Sequence, residues 1–149
     1  MSKLIKNIMK RLIQVAVLFL LCSTIAQAQK RYNDYKCISG DCLNGYGTIV
    51  VKKLGKYVGY FKNGKVHGKG TFYFKNGDKY VGDYYENRRE GKGKYYFANG
   101  SYYSGGWKND KRHGQGSDYD SKGDMIQGGT YVNGYLDKKA GVWYIRDRI

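Results

Sequence analysis

The sequence predicts an all-β fold: an elongated single-layer antiparallel sheet of stacked β-hairpins, a solenoid, behind an N-terminal signal helix. Three observations carry this. Gly-x-Gly recurs at Gly45/Gly47, Gly68/Gly70, Gly91/Gly93 and Gly114/Gly116, each pair 23 residues after the last. A second column, Gly59, Gly82, Gly105 and Gly128, keeps the same step and is preceded two residues earlier by Tyr57, Tyr80, Tyr103 and Ile126. Between the columns small or aromatic residues alternate with polar ones, the period-2 signature of strands. Self-similarity at such a period marks a stacked array.

Residues 1–28 read as an export signal. Lys3, Lys6, Lys10 and Arg11 precede an apolar run from Leu12 to Ala26, and Ala26-Gln27-Ala28 places small residues at the −3 and −1 positions of a signal-peptidase cut before Gln29. The run is about 15 residues, short of the roughly 20 that a spanning helix needs. Cys22 follows Leu21, where a lipobox needs a small side chain, so lipidation is not expected. The expected location is therefore outside the cytoplasm, periplasmic or secreted.

Residues 29–44 form an N-terminal segment holding Cys37 and Cys42. The four residues between them include Ser39, Gly40 and Asp41, which suit a turn, and disulfides persist in exported proteins. A Cys37–Cys42 bridge is expected to staple the amino-terminal edge. A redox-active pair would call for the two-residue spacing of thioredoxin-type sites, and a metal site for ligands that are not nearby.

Residues 45–134 hold the repeats. Gly68–Lys75 and Lys79–Tyr85 both alternate as strands, and Asn76-Gly77, repeated at Asn99-Gly100, reads as a tight hairpin turn with positive φ angles. Leu54-Gly55 occupies that slot in the first copy, so a different turn is expected there. The link Asn63–His67 has no apolar run and is read as a loop. Proline is absent, which suits an unbroken ladder. Strand parity puts Tyr80, Gly82 and Tyr84 on one face and Val81, Asp83 and Tyr85 on the other. Columns Tyr57/Tyr80/Tyr103 and Phe61/Tyr84/Trp107 then line one face, with Phe72, Phe74, Tyr95 and Phe97 on the partner strands. Rings are expected to lie flat over glycine backbone, making an aromatic ladder and a candidate binding face. The fourth copy decays: Asp118 and Asp120 replace the phenylalanines and Thr130 the ring of Trp107. Residues 135–149, through Trp143 and Tyr144, are expected to cap the open edge.

Tyr57-Val58-Gly59-Tyr60-Phe61-Lys62-Asn63-Gly64-Lys65-Val66-His67-Gly68-Lys69-Gly70 resembles the core motif of the MORN repeat family, and Tyr103–Gly116 is nearly as close. The intervening copy departs from it, with Glu90 in place of histidine and Arg88-Arg89 in the loop. The resemblance spans about Gly45 to Gly134. It implies a scaffold or membrane-associated binding surface, with no catalytic domain expected.

The residues themselves also argue against catalysis. His67 and His113 share a phase two copies apart, on the order of 19 Å at two strands per unit, so they are not expected to share a metal ion. No metal, cofactor or catalytic site is expected. Ser101, Ser104, Ser117 and Ser121 follow no nucleophile-elbow pattern, and Gly-x-Gly lacks the third glycine and helix of a phosphate motif. Asp83, Glu86 and Glu90 are the acids that a hydrolase or transferase would have to bring together.

Charge is the stronger signal. Of 27 lysines and arginines four lie in the first 28 residues, leaving 23 against 12 acids, a mature charge of +11. Lys65, Arg88 and Lys111 share one phase, Arg89 and Arg112 the next, and Lys62 and Lys108 flank the loops, so stacking predicts a basic row along one margin. Two binding functions follow. One is a scaffold holding a protein partner or an envelope assembly through Tyr57, Phe61, Tyr80, Tyr84, Tyr103, Trp107 and the free sheet edges, an edge that also leaves room for a homodimer. The other is an electrostatic binder of anionic membrane lipid or acidic glycan through the basic row. Export argues against nucleic acid as the partner.

Overall fold

The computed structural model describes residues 9–10, 12–18 and 35–143. The chain divides into residues 1–36 and 37–149. In the first unit residues 12–18 are helical, and no described helix is long and apolar enough to cross a membrane. The cleavage motif at Ala26–Ala28, Cys22 and Tyr144 lie outside the described residues.

Residues 35–143 build one open antiparallel sheet. Its strands are β1 (Tyr35–Gly40), β2 (Tyr46–Val51), β3 (Gly55–Lys62), β4 (Lys65–Phe74), β5 (Lys79–Tyr85) and β6 (Arg88–Tyr96). The path continues through β7 (Tyr102–Lys108), β8 (Lys111–Tyr119), β9 (Met125–Val132) and β10 (Tyr135–Leu136), each strand beside its sequence neighbours. A 3-10 turn at Lys138–Ala140 leads to β11 (Val142–Trp143), which pairs with Gly128 and Gly129 of β9. The Sγ atoms of Cys37 and Cys42 lie at bonding distance, joining β1 to the turn before β2.

The two kinds of hairpin connection differ from the sequence reading, and in effect change places. Asn63–His67, expected as a loop, contains only a two-residue turn. Lys65 already begins β4 and pairs with Lys62. Asn63 and Gly64 have φ of 50° and 69°, and Glu86/Asn87, Asn109/Asp110 and Asn133/Gly134 repeat the pattern. Two consecutive positive φ values are the type I′ arrangement, whose twist matches that of the strands it joins. Asn76-Gly77, expected as the tight turn, lies in a wider loop closed by Phe74 N–H to Asp78 O, and only Gly77 has positive φ. Phe97–Ser101 and Asp120–Asp124 close the same way. The first copy does turn differently: three residues join β2 to β3, with Lys53 at φ 79°.

Gly-x-Gly performs two tasks. In three of its copies the first glycine, Gly68, Gly91 or Gly114, has φ between 65° and 79° and sits in a bulge. Gly59 pairs with Gly70 but Phe61 with Val66, so His67-Gly68-Lys69 faces Tyr60 alone, and the same slip recurs at Gly82/Tyr84 and Gly105/Trp107. The second glycines form a seam with glycines of the alternate strands. Gly47, Gly59, Gly70, Gly82, Gly93, Gly105, Gly116 and Gly129 are cross-strand partners in unbroken succession from β2 to β9.

Tyrosine rings lie on that seam. A Cβ on Gly70, Gly93 or Gly116 would come within 2.2–2.3 Å of the hydroxyl of Tyr57, Tyr80 or Tyr103, so a methyl group there would displace the ring. Each hydroxyl donates to the carbonyl of Tyr60, Asp83 or Gly106, 3.1 Å away, the residue that the bulge leaves without a partner on the following strand. The period-2 face, the glycine seam and the bulge are thus one interlocked unit repeated three times.

The fourth copy carries one extra residue. β8 and β9 slip between Asp118 and Tyr119, so Gly116 faces Gly129 rather than Gly128. Tyr131 therefore takes the place expected to be lost at Thr130, and it is 2% exposed. Ile126 leaves the tyrosine column for solvent. The Gly128-Gly129 doublet hides the insertion in the sequence, because either glycine satisfies the spacing.

Candidate functional site

The six rings expected to line a binding face are the core itself. Tyr57, Tyr80 and Tyr103 have no exposed surface, and Phe61, Tyr84 and Trp107 are buried with them. They interlock edge-to-face: Tyr57 meets Phe61 and Tyr84, Tyr80 meets Tyr84 and Trp107, and Tyr103 meets Trp107 and Tyr131, with centroids 5.1–5.5 Å apart. Burial raises the hydroxyl pKa of Tyr57, Tyr80 and Tyr84, and lifts that of Tyr103 to about 12. A single-layer sheet has no second layer to cover a face, so its apolar residues cover one another. That removes them as a docking surface.

Arg89 and Arg112 also leave the predicted row. They occupy the phase of Val66, which packs on the core, so strand parity turns them onto the aromatic face. The Arg89 guanidinium lies 4.3 Å from the centroid of Trp107, and that of Arg112 lies 4.4 Å from Tyr103. Arg89 pairs with Asp110 and Arg112 with Asp118, at 3.1 and 2.9 Å. Asp118 also accepts from Gln127 Nε2 and the Tyr131 hydroxyl. A cleft of about 350 Å3 lies between the two arginines, lined by Tyr95, Phe97 and Trp107.

Lys65, Arg88 and Lys111 remain on the opposite, outer face, at the margin of the type I′ turns. Lys65 Nζ is 3.0 Å from Glu86, whose carboxyl is held below its usual range by that hydrogen bond and charge, and Arg88 donates to Asn109. More cations share this face than the sequence reading found. Register places Lys56, Lys62, Lys69, Lys79, Lys92, Lys94 and Lys108 with them. Among the described residues, only Lys65 and Lys69 of these ten are in ion pairs. Tyrosines stand between them: Lys56 lies over Tyr73, Lys79 over Tyr96 and Lys94 over Tyr102, and Tyr102 stacks on Tyr119 with centroids 4.5 Å apart. The signal that would have found this face is the parity that separates Val81, Asp83 and Tyr85 from the tyrosine column.

The acids that a catalyst would have to gather are each engaged separately. Asp83 pairs with Lys69, Glu86 with Lys65, and Glu90 accepts from Asn109 N–H. His67 lies against Tyr85, with ring centroids 5.1 Å apart. Among the described residues no group of histidine, cysteine and acid is arranged to hold a metal ion.

The model for the MORN repeat family matches residues 57–79, 80–102 and 103–125 in direct succession. The chain carries three consecutive MORN repeats. Each MORN unit opens on one of the three fully buried tyrosines, Tyr57, Tyr80 and Tyr103. No curated protein matches the chain. MORN repeats are in general non-catalytic modules that bind proteins or membranes.

Proposed function

We propose that this chain is an exported, non-catalytic MORN scaffold that holds a protein partner on the outer, lysine- and tyrosine-bearing face of its sheet. The observation that carries this reading is the segregation of surface types. One face is spent on the core, while the other presents eight cations outside any ion pair among the described residues. Exposed Tyr60, Tyr73 and Tyr85 stand between them, supplying the rigid amphipathic contact area that protein interfaces favour. Export is supported by the residue order at positions 1–28.

The test is a pull-down from envelope extracts with the full-length chain as bait, at low and moderate salt, beside a Lys56→Glu/Lys79→Glu/Lys111→Glu variant. The expected result is a protein captured at both salt concentrations and lost with the variant. The single sign of the face also favours a second reading, an electrostatic binder of anionic lipid or acidic glycan. Loss of every protein at moderate salt, with capture of anionic vesicles at low salt, would select it, because screening shortens the reach of exposed charges to about 8 Å at physiological ionic strength. Export is checked by mass spectrometry of the protein recovered outside the cytoplasm, with Gln29 as the expected first residue.

A further inference from the structure

The outer face repeats one arrangement three times, and the middle copy stands apart. Where β4 meets β5, Lys69 faces Asp83 and the two form an ion pair. Where β8 meets β9, Gln115 faces Thr130 and donates to its hydroxyl at 2.9 Å. Between them, where β6 meets β7, Lys92 faces Gly106, which offers no side chain. The neighbouring position adds to the difference. Thr71 and Ser117 flank the outer copies, but Lys94 flanks the middle one and faces Ser104. The local charge therefore runs neutral, +2, neutral across three positions that the repeat makes equivalent.

A cleft of about 470 Å3 lies there, lined by Val81, Lys92, Lys94, Ser104, His113 and Gln115 over a floor of bare glycine backbone. The backbone enforces the opening. A Cβ on Gly106 would lie 2.0 Å from the His113 carbonyl oxygen, so the acid or aromatic residue found there in the preceding copies does not fit. The His113 ring stands at the wall of the cleft.

We propose that this cleft binds a phosphomonoester. Two ammonium groups match a dianion of about −1.5 to −2 charge at pH 7, and the Ser104 hydroxyl, the Gln115 amide and the His113 ring supply hydrogen-bonding groups beside them. The volume exceeds what the phosphoryl group alone would fill, leaving space for the small polar body that carries it. Lys92 and Lys94 belong to the same outer face as the proposed protein-binding surface, but a small ligand tests the cleft without a protein partner, so the two readings can fail separately.

The experiment titrates glycerol 3-phosphate into the full-length chain and follows backbone amide shifts. The expected result is saturable change confined to Lys92, Lys94, Ser104, Gly106 and His113. Lys92→Gln/Lys94→Thr should weaken binding at least ten-fold, while Lys62→Gln/Lys108→Gln, which removes the same charge elsewhere on the face, should change it less than two-fold. Circular dichroism checks that each variant folds, and Ser104→Asp, which places an acid opposite Lys94, gives a second route to the same loss. Vesicles of phosphatidate or phosphatidylserine distinguish the source. Phosphatidate binding that is lost with Lys92→Gln/Lys94→Thr assigns the phosphate to a lipid headgroup, and binding of glycerol 3-phosphate alone assigns it to a soluble ligand. Shifts that never saturate, or equal weakening by both double variants, would overturn the site.

Discussion

Gly93 and Arg112 show what individual residues contribute to a sheet without a second layer. Gly93 is a shelf: a methyl group there would fall 2.3 Å from the Tyr80 hydroxyl, and that ring is fully buried with nowhere to move. Gly93→Ala is expected to cost about 3 kcal/mol, the upper range for overpacking. Gly114→Ala meets no atom within 4 Å and has only its φ of 70° to contend with, so about 1 kcal/mol is expected. Urea unfolding of the two variants checks the order. The arginines separate on the same logic. Arg89→Val installs the residue that the first copy already uses, and its partner Asp110, with a side chain 49% exposed, can be hydrated once unpaired. Arg112→Val leaves Asp118 at 16% exposure, and an unpaired carboxylate there costs roughly 3 kcal/mol. The first variant should lose less than about 1 kcal/mol and the second several times more, with Arg112→Val/Asp118→Phe recovering most of the difference, because Val66 and Phe72 hold those places in the first copy. None of this pairing was visible while Arg89 and Arg112 were counted with Lys65 and Arg88. A one-residue step along a strand reverses the face, and only the register shows which phase points inward.

At the scale of elements, the type I′ turns are stitched to one another as well as to their own strands. Gly64 N–H donates to Leu43 O, Asn87 to Val66, Asp110 to Arg89 and Gly134 to Arg112, at 2.9–3.1 Å. In two turns the side chain adds a bond: Asn87 Oδ1 accepts from Val66 N–H and Asp110 Oδ1 from Arg89 N–H, at 2.8 and 3.0 Å. Asp110→Gly keeps the positive φ but removes that acceptor, so a loss of about 1–2 kcal/mol is expected, while Asp110→Asn retains the acceptor and should lose under about 1 kcal/mol. Thermal unfolding of the pair measures the difference. The hairpins, the 23-residue step and the ring-over-glycine packing were legible because each rests on strand period and on glycine's missing side chain. The turn types were not. Asn-Gly stands at both kinds of connection, Asn63-Gly64 and Asn76-Gly77, and the dipeptide alone does not reveal how many residues the flanking strands give up to the turn. The bulges were hidden for a related reason: two extra residues on one strand leave parity intact, so the alternation reads straight through them.

The molecule as a whole depends on rings that repeat along one seam, so its stability should respond to a property that all copies share. Burial raises the hydroxyl pKa of Tyr57, Tyr80, Tyr84 and Tyr131, and lifts that of Tyr103 to about 12. Tyr95 is also lifted to about 12, by burial first and then by its hydrogen bond to Asp78. An unfolded tyrosine ionises near pH 10. Because the folded values lie higher, the folded chain holds its phenolic protons where the unfolded chain releases them. The associated stability is fully present below about pH 10 and is lost as pH rises through about 12. Unfolding free energy should therefore be insensitive to this term between pH 7 and 9 and fall steeply from about pH 10 to 12. Nearest-neighbour coupling along the array makes the loss cooperative, so that ionisation of one ring exposes the next. Tyr103→Phe removes the central ionising group while keeping its ring on Gly116. It should cost up to about 1.5 kcal/mol at neutral pH, through the lost bond to Gly106 O, and make the alkaline decline shallower. Urea melts of the parent and the variant at pH 8, 10 and 11.5 decide it. Parallel curves across that range would mean that the tyrosine seam does not govern the alkaline limit of the fold.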